Sequence, residues 1–372
     1  MGYKKQKTIV PTGGFGHLRP CIRCNSFASA HVIIINSVKT IILPMLLGIS
    51  IAICHADGLY HFIKEIPVGG EGGWDYLSVD SSTHRLYVSH ENRVVVIDLK
   101  DDQIVGEITN VSGVHGLAPA PALGRGMITC GRENKAAIVD LKTLQIIKKV
   151  PTGAGPDGMQ YDPGRQEFYT FNGHDQSATV IGANSGKVVA TIPLGGRPEF
   201  GQADPKTGRV YDNLENQSEV AVIDTRSHAV VQRWPIAPGE SASGMAIDLE
   251  KHRLFLGCRN QMMVMMDDQN GKVLASVPIG EGVDAAAFDP ETKLAFASCG
   301  RSGVTTIVRE DGDHLTVVQT LKTESGARTM ALDPATHKIY LATARVKPSA
   351  QGRWHRQIVP GTFKILVYGM EK

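Results

Sequence analysis

The sequence predicts an all-β domain built from seven copies of a four-stranded unit. Three observations predict it. Six turn-opening aspartates recur at nearly constant spacing, each is followed by further short β-branched runs, and no part of the body shows helical spacing of apolar residues. The aspartates are Asp80, Asp162, Asp204, Asp248, Asp289 and Asp333, in segments such as WDYLSVDSSTHRLYVSH and PEFGQADPKTGRVYD. The last four gaps are 42, 44, 41 and 44 residues, while the first is 82. That longer gap has room for one degenerate copy, HGLAPAPALGRGMIT, with Ala120 at the anchor position.

Within each copy the anchor closes a first strand, and a second strand follows directly. A third ends in signals such as VVVID at Asp98, AIVD at Asp140 and VAVID at Asp224. A fourth reads like GKVVATIPLGG. Four strands in about 42 residues make a propeller blade, so seven anchors predict a seven-bladed β-propeller. The segment GAGPDG (153–158) fits the dinucleotide-binding pattern G-x-G-x-x-G, but Pro163 and a strand pattern follow it where a helix is needed. It is an inter-blade connection, equivalent to GGRPEFG and GEGVDAA. The last copy has only three strands, and the chain opens with an orphan, YHFIKEIPVGG (60–70). That orphan is expected to complete the last blade and remove its exposed edge.

These units resemble the YVTN-type β-propeller repeat family of exported, YncE-like bacterial proteins. The resemblance rests on the turn Pro156-Asp157-Gly158, the D-P turns at Asp204-Pro205, Asp289-Pro290 and Asp333-Pro334, and the strand Val220–Asp224. It covers about 58–372. It implies an exported propeller with no fixed ligand. Blade 2 departs from the pattern by lacking the D-P turn.

Residues 37–58, SVKTIILPMLLGISIAICHADG, read as a secretory signal: Lys39, an apolar core over 41–53, and Cys54-His55-Ala56 at the cleavage site. The expected division is a presequence over 1–56, with the signal at about 38–56, and one propeller domain over 57–372. Residues 1–37 match neither signal nor domain, and the expected start lies near Val38. The mature chain is then periplasmic, without a membrane span. All six basic residues before position 57 are unopposed, and the remainder carries 33 basic against 37 acidic residues. Such a body has no overall electrostatic reason to seek nucleic acid. Cys130, Cys258 and Cys299 are an odd, widely spaced set and are expected to stay free. A monomer is expected.

Successive turns of a blade alternate between its two ends, so the residue five before each anchor enters the innermost strand at one mouth of the channel. These residues are Asp75, His115, Asp157, Glu199, Ser243, Asp284 and Arg328. Twelve past each anchor, farther out on the same face, come Asn92, Arg132, His174, Asn216, Asn260, Arg301 and Arg345. Together they predict a polar site: carboxylates for a cation or hydroxyls, guanidinium groups for an acidic group. No cofactor is expected; four carboxylates with His115 leave a divalent cation as the alternative occupant, without tight ligand spacing. The bland alternative is strand capping and turn chemistry. The insertion RVKPSAQGRWHRQIVPG (345–361), with Arg345, Lys347, Arg353 and Arg356, is a candidate lid.

The leading expectation is an exported, non-catalytic propeller binding a small molecule or an exported protein. The alternative is a lactonase-like hydrolase using ring carboxylates with His115 or His174 as acid and base. A third reading, polyanion binding through the basic insertion, conflicts with the acidic body and lacks a stacking platform.

Overall fold

The computed structural model describes residues 59–347 and 357–370. The described strands form seven four-stranded antiparallel sheets and one two-stranded ribbon. Six sheets take their strands consecutively, the first from Trp74–Asp80, Arg85–His90, Arg93–Asp98 and Gln103–Ile108. The seventh runs Met330–Asp333, Lys338–Thr343, Lys364–Met370 and then the N-terminal strand Tyr60–Pro67. The chain closes its own ring: Tyr60 pairs with Met370 at one end of the ladder and Pro67 with Lys364 at the other.

The anchors explain the period. All six aspartates are at most 3% exposed. Each Oδ1 accepts the backbone N–H two residues on, as with Lys206 at 2.9 Å from Asp204 and Glu250 at 2.8 Å from Asp248. This Asx geometry builds the tight turn between the first two strands. Four residues past the anchor the backbone turns left-handed, at φ 59° for His252 and 57° for His337. Blade 2, which has Ala120 in place of aspartate, substitutes a 3₁₀ turn over Pro121–Leu123, closed by Gly124 at φ 61°.

Successive side chains point to opposite faces, and the middle strands are buried at nearly every position, as over Arg93–Asp98 and Glu167–Asn172, so each sheet buries both faces against its two neighbours. The core is therefore seven inter-blade clusters. At the joint of blades 7 and 1, Leu86 and Val95 pack with Tyr340, Ile365 and Val367. Cys130, Cys258 and Cys299 lie fully buried in three different clusters and are free. Burial pushes their thiols up to about 12, 12 and 11. A maleimide reagent is expected to label none of them in the native protein and all three in denaturant, counted by mass spectrometry; native labelling would contradict the buried placement.

Val346–Lys347 and Gln357–Ile358 pair as the small ribbon at the base of the insertion. Most of the candidate lid, with Arg353 and Arg356, lies outside the described residues, as does the expected signal segment. No described helix is long and apolar enough to cross a membrane.

Candidate binding site at the channel mouth

The ring residues owe their position to a break in sheet pairing. In blade 1, Trp74 pairs with His90 and the next pair is Leu77 with Val88, so Asp75 and Tyr76 bulge out of the ladder. The same shift frees His115 in blade 2, Asp157 in blade 3, Glu199 in blade 4, Ser243 in blade 5 and Asp284 in blade 6. A bulge re-aims a side chain without ending the strand. Here it turns five of the six residues, all but the buried Ser243, toward the channel mouth, with Arg328 entering from the loop before the seventh blade's first strand. The glycine of the P-D-G turn is needed on steric grounds: a Cβ on Gly158 would stand 2.2 Å from the carbonyl oxygen of Glu199.

Five neighbours on this ring alternate in charge. Arg328 Nε lies 2.8 Å from Asp284 Oδ2, and its Nη2 lies 3.4 Å from Asp75 Oδ1. His115 Nδ1 lies 2.8 Å from Asp75 Oδ2 and 3.0 Å from Asp157 Oδ1. Burial works against the charged imidazole, but its bonds to Asp157 and Asp75 outweigh that and hold it up at about 10. His115 is thus a cation at neutral pH and has no lone pair to serve as a general base there.

The alternation then breaks. Glu199 follows Asp157 with no inner-ring cation between them, and Ser243 follows Glu199. Burial, then Asp157, Glu215 and Asp284, push the Glu199 carboxyl up to about 8. Its Oε2 is buried without a hydrogen-bond partner. Burial also pushes Asp284 up to about 6, against the pull of Arg328. Ser243 points away from the mouth and donates to Val283 O at 2.9 Å, an inter-blade bond of the bland kind.

No family model matches the chain, and no curated protein matches it. Solved structures do. The chain is similar to U3-55K (TM-score 0.69, 12% identity, 82% of this chain and 98% of that one). It is also similar to the RRP9 WD40 repeats (TM-score 0.70, 12% identity, 82% and 97%). A third is the Cps50 (Swd1) β-propeller domain of Myceliophteria thermophila (TM-score 0.65, 11% identity, 84% and 100%). The fold is a WD40-like seven-bladed propeller. At such identities the likeness is one of architecture, so this propeller's site must be read from its own residues.

The outer set does not join the ring. Arg132 pairs with Glu91 at 3.1 Å, Arg301 with Glu281 at 2.6 Å, and His174 and Arg345 are exposed on the rim. Asn92, Asn216 and Asn260 accept the backbone N–H groups of Gly113, Arg197 and Glu240 and clamp the inter-blade loops. Five residues that the repeat spacing did not single out stand next to Glu199. Arg197 and Arg259 bind Glu215 at 3.3 and 2.6 Å and only approach Glu199, at 3.6 and 4.0 Å. Beneath it lies Asp212, fully buried with both oxygens unpartnered, its carboxyl held well above the usual range by burial and by Glu199. Tyr76 reaches across the channel to donate to Glu199 O at 3.2 Å and packs 5.3 Å from Phe200. These two rings floor the mouth. Below them a cavity of about 410 Å³, lined by Met159, Tyr161, Pro163 and Pro205, opens toward the D-P turns, a hollow the sequence did not indicate on that face.

Proposed function

We propose that this propeller is a non-catalytic binding protein whose channel mouth takes a small ligand bearing a positive charge. The observation that supports it is Glu199: a buried carboxyl whose Oε2 accepts no hydrogen bond and has only the Arg197 guanidinium 3.6 Å away, at a place where the alternating inner ring lacks a cation. An ammonium group placed among Asp157, Glu199 and Asp284 would restore the alternation, donate to Glu199 Oε2 and lower the cost of ionising it. The reading includes export to the periplasm, supported by the signal-like segment over 38–56, and a place among the YVTN-type propellers, supported by the repeat motifs.

The test is a thermal-shift screen of primary amines and amino sugars, followed by calorimetry on variants. Asp157→Asn is expected to weaken the best hit by about 1–3 kcal/mol, as for a lost charged hydrogen bond. Lys206→Ala, in a turn on the opposite face, should leave affinity unchanged. Arg328→Ala reads the sign of the ligand: a cation keeps binding, whereas an anion loses it. Loss in Arg328→Ala with full affinity in Asp157→Asn would sink the proposal.

A further inference from the structure

A second cluster lies on the opposite face, at the joint of blades 4 and 5, and the other joints show what is unusual about it. The residue four past an anchor crosses to the preceding blade. Lys293 Nζ donates to Asp248 at 3.3 Å, and His337 Nδ1 lies 2.7 Å from Asp289 Oδ2. Blade 5 carries His252 in that position, facing Asp204, but here a third residue intrudes. Asp268 donates its backbone N–H to His252 O, as Leu99 does to His84 O and Leu141 to Gly124 O. An acid thus stands where blades 1 and 2 place leucine.

Asp268 is 0% exposed, and neither of its carboxylate oxygens has a hydrogen-bond partner. His252 Nδ1 is buried and unpartnered too, 3.2 Å from Asp268 Oδ1 without the alignment of a hydrogen bond. The donor atoms of Asp204, His252 and Asp268 all lie within 4.8 Å of one another. At the next joint Glu310 takes the place of Asp268, its N–H bonded to Lys293 O, and the lysine supplies a fixed cation. The joint of blades 4 and 5 has two buried acids and only an imidazole. The Arg209 guanidinium donates to the backbone carbonyl of Asp268 at 3.2 Å, beside the Tyr211 hydroxyl at 2.9 Å, and not to the carboxylate.

We propose that Asp204, His252 and Asp268 form a Zn²⁺ site that staples blade 4 to blade 5. One imidazole nitrogen and two carboxylate oxygens suit a borderline ion, whereas Ca²⁺ takes six or more oxygens. Bonds of ~2.0–2.1 Å in tetrahedral geometry place neighbouring donors ~3.3 Å apart, close to the separation of His252 Nδ1 and Asp268 Oδ1. The His252 side chain is 32% exposed, so the outer edge of its ring faces solvent beside the buried donors. The site is independent of the mouth.

Protein stripped with EDTA and dialysed is titrated with ZnCl₂ by calorimetry, with zinc content and melting measured in parallel. Wild type is expected to bind zinc with micromolar or tighter affinity and to melt several degrees higher, with no such response to CaCl₂. Asp268→Leu, which installs the residue of blades 1 and 2, should weaken zinc binding at least tenfold. His252→Lys, which installs the cation of the next joint, should do the same while folding normally. Asp157→Asn at the mouth should retain the full response. No zinc uptake by wild type, or wild-type affinity in Asp268→Leu and His252→Lys, overturns the site; so does zinc binding lost only in Asp157→Asn.

Discussion

A chain lacking residues 57–69 is expected to lose cooperative unfolding and to aggregate. The N-terminal strand contributes to two joints at once. Tyr60, 1% exposed, packs edge-on against Phe296 at 5.1 Å in the joint of blades 6 and 7, while Ile66 enters the joint of blades 7 and 1. The Tyr60 hydroxyl donates to His337 O at 2.7 Å, and its backbone exchanges two bonds with the Gln319 amide, at 2.8 and 2.6 Å. Losing one large core side chain costs ~3–5 kcal/mol. Losing two such residues with a whole ladder reaches the ~5–15 kcal/mol by which domains are stable at all. It also bares the edge of Lys364–Met370 to pairing with other chains. A single sharp melting transition of the truncated chain, near that of the full one, would refute ring closure by this strand.

Stability is also expected to fall as the pH rises from about 5 to about 10. Three mouth groups act in the same direction. The Glu199 carboxyl, at 4.5 by reference, is raised to about 8 in the fold, so its contribution is complete below about 4.5 and lost as pH rises through 8. Asp284, raised from 3.8 to about 6, behaves alike over a lower window. His115, raised from 6.5 to about 10, contributes fully below 6.5 and loses that contribution through 10. For Glu199 the difference is about 5 kcal/mol at most, since each unit is worth about 1.4. Melting temperatures measured across that range should decline, and Glu199→Gln should flatten the part between about 5 and 8. A wild-type profile without slope, or an unchanged slope in the variant, contradicts the protonated Glu199.

The fold was legible because its defining residues act locally. An aspartate that accepts its own turn's N–H groups must recur with each turn, so Asp162, Asp204 and Asp248 report the blade period directly. The ring was legible for the same reason, since counting from an anchor reaches the same level in every blade. What counting misses is chemistry that depends on one joint. Asp212 stands where the other blades carry Val88, Ile128, Thr170, Leu256, Ala297 and Leu341, and an acid in that column was a readable signal. Asp268, second of the pair Asp267-Asp268, was another. The contact of Tyr76 with Glu199 O spans blades 1 and 4, and no spacing rule predicts a side chain crossing the channel. The channel floor and the cavity beneath it follow from that crossing.

Six of the seven ring residues sit where strand pairing is suspended, and this governs how such a protein can change. A substitution on a paired middle strand disturbs the joint its side chain faces, because both faces are core. A substitution at Asp75, His115, Asp157 or Asp284 meets solvent and its ring neighbours, leaving ladder and core as they were, whereas Glu199 and Ser243 are buried. Blades 1, 2, 3 and 6 thereby each expose one slot whose occupant is free to drift, and these slots converge on a single mouth. Ligand preference can be rewritten one slot at a time, by mutation or by design, without any blade having to be rebuilt.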